Sequence, residues 1–175
     1  MPSKPRVLLL GHAPDTAWPM LCEWLRPTFQ VLVVNEPLTG SVGYDWLISY
    51  RHHWVVPEVF LRPGRAINFH PGPPEYPGIG STDWALHEKA TAFGVTAHHM
   101  AAVPDTGPII AVRRFPIRPH ETLVTLTQRA HVHLLGLADE VLSYVISGQP
   151  LPRSGDQWVG RPRTRKDLRA LQCAS

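Results

Sequence analysis

Two rhythms of apolar positions alternate along the chain. Val7-Leu8-Leu9-Leu10 is an unbroken apolar run, as expected of a strand covered on both faces. Gly11-His12-Ala13-Pro14 turns the chain. Asp15 or Thr16 can then cap a helix whose apolar residues Trp18, Leu21, Cys22 and Leu25 recur at helical spacing, with Pro19 in its first turn. Phe29 to Val34 reads as a second strand. A loop with Pro37, Gly40 and Gly43 leads to a third, Trp46 to Tyr50. A short helix is expected from Pro57 and a fourth strand over Ala66 to Phe69. Ser81 or Thr82 can cap a helix through Trp84, Ala85, Leu86 and Lys89. Phe93 to Met100 and Ile109 to Phe115 are further strands around a loop centred on Asp105-Thr106-Gly107. Leu123, Leu126, Ala130, Leu134, Leu137 and Val141 share one face of a long helix, which Gly148 closes. This β-α-β order predicts an α/β fold, a mostly parallel sheet flanked by helices. Periodicity fades after Pro150, so a domain over residues 1–150 and an extension over 151–175 are expected.

The chemistry gathers at Ile67-Asn68-Phe69-His70-Pro71-Gly72, where a strand exposes an Asn and a His two residues apart before a Pro/Gly-rich loop that runs to Gly80. Such a loop cannot join a sheet interior. In open parallel sheets, ligands bind beyond the carboxyl ends of the strands, where this loop lies. Asp105 lies in a second loop beyond a strand end. Acyl transfer to an amine needs a donor for the oxyanion, which an Asn amide supplies. It also needs a group to handle the amine's proton, as a His does, and a carboxylate to orient that His. Asn68, His70 and Asp105 meet these needs without a metal. The alternatives are a surface turn for the His and a turn-shaping role for an Asp that closely precedes Gly.

Other chemistries fit less well. No G-x-G-x-x-G follows the first strand, so the dinucleotide fingerprint is absent. His52-His53 and His98-His99 are adjacent pairs, and adjacent strand residues face opposite ways. His131 and His133 do not share a helical face, so no metal site is expected. Ser49 and Ser81 lack a Gly-x-Ser-x-Gly elbow, and Ser81 is better explained as a helix cap.

Composition narrows the class. With 43% hydrophobic and 18% charged residues over 175 positions, a folded domain is expected rather than disorder. No apolar run approaches the roughly 20 residues of a membrane helix, so no membrane partner is expected. Met1-Pro2-Ser3-Lys4-Pro5-Arg6 runs directly into a strand without a signal-peptide pattern, and a cytoplasmic location is expected. Cys22 and Cys173 read as a core residue and a tail thiol. The net charge of +3 is concentrated in Arg153, Arg161, Arg163, Arg165, Lys166 and Arg169. With only Trp158 available for stacking, these suggest a solvated or subunit-contacting tail rather than a nucleic-acid surface.

Three segments in register carry a family resemblance. These are Asn68-Phe69-His70-Pro71 with Tyr76-Pro77-Gly78, Gly94-Val95-Thr96-Ala97-His98, and Asp105-Thr106-Gly107-Pro108-Ile109-Ile110. Over about residues 6 to 148 the chain resembles the 10-formyltetrahydrofolate-dependent formyltransferases, most of all small members that formylate amino sugars. The resemblance implies a Rossmann-like formyltransferase fold and a catalytic triad of Asn68, His70 and Asp105. It implies 10-formyltetrahydrofolate as formyl donor and a small-molecule amine as acceptor, possibly a nucleotide-linked amino sugar. The pterin would lie between Tyr50-Arg51-His52-His53-Trp54 and Ala102-Val103-Pro104, held largely by backbone. Gly72, Pro73, Tyr76 and Gly78 would wall the acceptor. Departures from the family are expected too. The stretch before Asn68 is short, so a strand–helix unit is shortened or lost. Gly11-His12-Ala13-Pro14 does not supply the phosphate loop of glycinamide ribonucleotide members, and the chain ends too soon for the extra domain of methionyl-tRNA members. The tail from Trp158 to Leu168 resembles extensions that form strands at a homodimer contact, so its removal is expected to affect assembly more than chemistry. Hydrolysis of the formyl donor and a non-catalytic binding role are the alternative functions.

Overall fold

A computed structural model of the chain describes residues 3–11, 17–40, 42–52, 54–61 and 64–174. Six strands form one sheet in the order β2-β1-β3-β4-β5-β6. They are β1 (Arg6–Leu10), β2 (Gln30–Val34), β3 (Trp46–Tyr50), β4 (Ala66–His70), β5 (Ala92–His99) and β6 (Ile109–Pro116). The first four run parallel, and β5 and β6 complete the sheet antiparallel. The helices are α1 (Trp18–Leu25), α2 (Ser81–His87), α3 (Leu123–Ser147) and α4 (Arg165–Ala174). Pro19 sits in the first turn of α1, while the proposed cap residues Asp15 and Thr16 and the turn at His12, Ala13 and Pro14 lie outside the described residues.

The strand order fixes which face each connection covers. From β1 the chain moves one way to β2, through α1. It then doubles back past β1 to β3 and continues in that direction to β4. Right-handed crossovers therefore place α1 on one face and the next two connections on the other. Those two connections span residues 35–45 and 51–65 and carry only a 3₁₀ turn, Glu58–Phe60, among the described residues. This is the shortened unit expected of the N-terminal half. Leu38, Tyr44, Val56 and Phe60 from these loops cover Leu8, Leu10, Leu47 and Ala66. The opposite face carries the main core, in which Leu21, Leu25, Leu134, Leu137 and Val141 pack on Val7, Leu9, Ile48, Ile67 and Phe69. The helical layer lies on this one face.

β1 is covered on both sides as its apolar run demands, with Val7 to Leu10 at most 1% exposed. β2 is the sheet edge, and Leu32 is 51% exposed there, so an apolar run alone overstated its burial. In α3 a reciprocal capping box joins Thr122 and Thr125, and Gly148 ends the helix in the left-handed region (φ 71°). Leu123, expected on the buried face, is 43% exposed because it precedes the first turn that reaches the sheet.

Residues after Pro150 return across the sheet's functional end. Ser154 N donates to the Ile109 carbonyl (3.1 Å) and Val159 N to that of Pro74 (2.9 Å). Arg163 bridges to Gly78 in parallel, with Arg163 N donating to the Pro77 carbonyl (2.9 Å) and Ile79 N to that of Arg163 (2.8 Å). Beyond this isolated bridge the tail forms a helix, α4. The expected tail strands are absent from the described residues: Thr164 caps a helix there instead, its hydroxyl accepting from the Asp167 N–H while the Asp167 carboxylate accepts from the Thr164 N–H. None of the described helices is long and apolar enough to cross a membrane.

The two faces differ in what a deletion should cost. Leu137→Ala in the fully covered stripe of α3 should lower unfolding stability by about 2–5 kcal/mol. Leu32→Ala on the edge strand should change it by less than about 0.5 kcal/mol. Urea denaturation of both variants checks this.

Candidate active site

The three proposed residues meet at one end of the sheet. Asn68 and His70 lie two apart on β4 and so share a face, while Ile67 and Phe69 turn into the core. Neighbouring strands supply partners in register: Ser49 opposite Asn68 on β3 and His98 opposite it on β5. Ser49 Oγ donates to Asn68 Oδ1 (2.7 Å), which leaves the amide nitrogen to face the site. That nitrogen lies 3.0 Å from His98 Nε2 and 3.4 Å from Asp105 Oδ1. A β-bulge at Ala97/His98 marks where β5 departs from regular pairing beside this cluster.

Asp105 is buried, 6% exposed, in the loop between β5 and β6. Its backbone adopts φ 52°, a left-handed conformation that Asp tolerates better than most residues. Its Oδ2 accepts from the Gly78 backbone N–H (2.8 Å) and lies 3.2 Å from His70 Nδ1; Oδ1 lies 3.2 Å from His98 Nε2. Gly78 has φ 86°, and a Cβ there would meet the Arg163 carbonyl oxygen at 2.3 Å. Only glycine permits both the N–H contact with Asp105 and the bridge to the tail.

Burial alone would raise the Asp105 carboxyl, but the charge of His70, the hydrogen bond and charge of His98, and the Gly78 N–H hold it well below the usual carboxylate range. Burial pushes the His70 imidazole below its ordinary value. Asp105 opposes this, His98 adds to the lowering, and the Tyr76 carbonyl raises it. His70 Nδ1–H points to Asp105. Nε2 lies 3.1 Å from the Tyr76 carbonyl and 3.2 Å from Ser81 Oγ, which itself donates to that carbonyl at 3.0 Å. Ser81 has a single hydroxyl hydrogen: it turns from the Tyr76 carbonyl to Nε2 when the ring is neutral, and a charged ring donates at Nε2 to Tyr76. Ser81 was expected as a helix cap. Gly80 caps α2 instead (φ 80°), and Ser81, one residue inside, is buried against His70.

A cleft of about 950 Å³ opens over this cluster. Arg51, His52, Trp54, Val103 and Pro104, among the residues expected around the pterin, line it. Tyr50 does not; it is 1% exposed in the core, tilted against Phe69. Ala102 is exposed and off the cleft wall, and His53 lies outside the described residues. His52 Nδ1–H donates to the Gly11 carbonyl (3.2 Å), while its buried Nε2 has no partner among the described residues. Of the proposed acceptor wall only Gly78 lines the cleft. Gly72 lies behind the imidazole, its carbonyl accepting from Thr96 Oγ1 (2.8 Å). Pro73 and Tyr76 face a separate hollow of about 330 Å³. The Tyr76 ring stacks on Phe93, and its hydroxyl, pushed up to about 12 by burial and by its hydrogen bond to Glu88, points away. The strand-to-loop transition at Pro71 turns these three side chains from the cleft, and the tail takes their place.

Two residues were missed by sequence reasoning. His98 stands in the sequence as half of an adjacent His pair and as the end of a family segment, with no role in the site, although strand alternation already separates it from His99. Trp158 stands there as a lone stacking residue and as the start of the tail extension, not as part of the site. Its ring meets His98 and His70 edge-on, with centroids 5.0 and 5.8 Å apart, and its Nε1–H donates to the Gly107 carbonyl (2.8 Å). No group of metal-ligating side chains occurs among the described residues.

The family described as "Formyl transferase" matches residues 45–135, the segment that holds all three residues. The chain belongs to the formyl transferase family. A phosphoribosylglycinamide formyltransferase of Bacillus subtilis is 41% identical over 123 residues, covering 69% of this chain and 62% of that protein. The hydrogenase maturation factor HoxX of Bradyrhizobium diazoefficiens is 30% identical over 168 residues, covering 91% of this chain and 29% of that protein. The chain thus spans less than two thirds of these curated relatives. The formyltransferase PseJ of Anoxybacillus kamchatkensis, solved with UDP-4,6-dideoxy-4-formamido-L-AltNAc and tetrahydrofolate, superposes with a TM-score of 0.76 at 26% identity, covering 94% of this chain and 88% of that one. The Rossmann-like formyltransferase fold expected from the sequence is the one observed.

The proton arrangement makes opposite predictions for two neighbours of His70. Asp105→Asn removes the charge that opposes burial and should lower the His70 pKa further. Ser81→Ala leaves Nε2 facing only a carbonyl acceptor and should raise it. Imidazole titration by NMR reads both; shifts of the same sign would sink the arrangement. Because the folded-state value of Asp105 lies below 3.8, its contribution to stability is present above that pH and is lost as pH falls through the folded-state value.

Proposed function

We propose that the chain transfers a formyl group from 10-formyltetrahydrofolate to a primary amine of a small acceptor. The observation that carries this reading is the convergence of Asn68 and His70, from the end of β4, and Asp105, from the loop between β5 and β6, onto one cleft. The acceptor amine attacks the formyl carbon, and the carbonyl oxygen becomes an oxyanion beside the Asn68 amide N–H. The bond from carbon to N10 then breaks, the amine loses a proton and N10 gains one. His70, poised between Asp105 and the Ser81 hydroxyl, exchanges that proton, and Asp105 sets the ring's orientation and charge.

The donor side of the cleft suits a flat, donor-bearing ring. His52 offers an acceptor at Nε2, unpartnered among the described residues, beside the Trp54 ring (centroids 5.3 Å apart), with Val55, Met100 and Val103 supplying apolar wall. The acceptor is read as a nucleotide-linked amino sugar. The bound product of the PseJ structure supports this, as does the basic tail beyond His70.

His70→Ala and Asn68→Ala should each lower turnover by about 10²-fold or more. The assay follows folate release from 10-formyltetrahydrofolate with and without added amine. Release that is independent of the amine would favour hydrolysis, and undiminished release in both variants would remove the residues from the chemistry. Trp158→Ala, which uncovers the His70 and His98 rings, should lower turnover by about tenfold or more. An unchanged rate would restrict Trp158 to packing.

A further inference from the structure

Of the six basic residues in the tail, four fall into two pairs of different kinds. Arg161 pairs with Asp167 through two contacts (2.9 and 2.8 Å). Arg163 pairs with Glu88 (2.9 Å) and lies over the Trp84 ring, 4.2 Å from its centroid. These are structural. Arg165 and Arg169 have no carboxylate partner among the described residues, and both line the cleft. They stand four apart, on one face of α4 together with Leu168 and Gln172, which line the cleft as well. Leu168 seats this face, since a Cβ on Gly80 would meet its Cδ1 at 2.7 Å. Gly80 lies two residues from Gly78, whose N–H holds Asp105. The face of α4 therefore stands one short loop from the proposed reacting centre.

The cleft's charge is one-sided. Asp105 is the only carboxylate among its described lining residues, against Arg51, Arg165 and Arg169, while Arg163 is offset by Glu88. Asp105 is itself compensated by two imidazoles and a backbone N–H. Low-dielectric walls concentrate such a field within a cleft. Paired guanidinium groups suit phosphoryl oxygens, which they can grip through two parallel N–H bonds. Thr127 and His131 of α3 face the same part of the cleft and add hydrogen-bonding groups.

We propose that Arg165 and Arg169 form a phosphoryl subsite, so that the acceptor is an amine carrying a phosphate or diphosphate group held on α4 while its amine reaches Asn68 and His70. The proposal rests on the reading of the cleft as a formyl-transfer site. It places acceptor selectivity in the tail and not in a phosphate loop after β1.

Pyrophosphate and uridine diphosphate are titrated calorimetrically against the full chain, its Arg165→Gln/Arg169→Gln variant and an Arg153→Gln/Lys166→Gln control with the same change in charge. Saturable binding of pyrophosphate is expected. It should weaken about tenfold or more in the first variant and stay within about twofold in the control. Tighter binding of uridine diphosphate than of pyrophosphate identifies a nucleotide acceptor, and equal binding a simple phosphorylated amine. No saturable binding of either, or equal weakening in both variants, overturns the subsite. A tetrahydrofolate titration separates the two readings. Folate binding retained without diphosphate binding refutes the subsite alone, and diphosphate binding without folate binding refutes the formyl-transfer reading while leaving an anion site.

Discussion

A single buried carboxylate ties the functional end together. Asp105 touches His70 on β4, His98 on β5 and the backbone of Gly78 in the loop after β4, and it lies at the edge of hydrogen-bonding distance from Asn68. Ionised and shut away from water, it is tolerable only while these partners stay in place. The dependence also runs the other way. The ring of His70 is oriented by Asp105 on one edge and by Tyr76 and Ser81 on the other. The loop carrying Gly78 is anchored to the same charge. Losing one partner loosens the rest, so the cluster behaves as a unit.

The sheet makes this unit possible. Its parallel half ends with β3 and β4 side by side, which sets Ser49 against Asn68. The antiparallel β5 then brings His98 to the opposite flank of the same residue. Asn68 is thereby fixed from both sides before any ligand arrives, the kind of preorganisation that makes an amide an effective donor to developing charge. The surrounding layers need only hold the strands. A full helical layer does so on one face and two loops on the other.

Much of this was legible in the sequence because local pattern decided it. The apolar runs, the 3.6-residue stripe of α3 and the glycine that ends it located the elements within a residue or two. Asn68, His70 and Asp105 could be singled out as chemistry at strand ends. What stayed hidden depends on contacts between distant residues. Ser81 follows a glycine and precedes an apolar helix, so its local pattern reads as a cap. Only the fold shows it bonded to an imidazole. Gly72, Pro73 and Tyr76 belong to a loop that turns behind the site, a direction no spacing encodes. The tail's helix is amphipathic, but with Leu168 and Leu171 as its only large aliphatic residues it does not announce where the chain folds back. Trp158 and Arg163 find their partners 51 and 75 residues upstream.

That bridge between Arg163 and Gly78 has a kinetic consequence. The sheet and α3 can assemble from contacts made earlier in the chain, but the loop that presents an N–H to Asp105 is braced only once the last segment docks. Closing so wide a loop is entropically costly and follows the formation of nearer contacts. The sheet should therefore form ahead of the finished site, and competence for chemistry should arrive last in folding. A nascent chain could then be compact and yet chemically silent until its final helix settles.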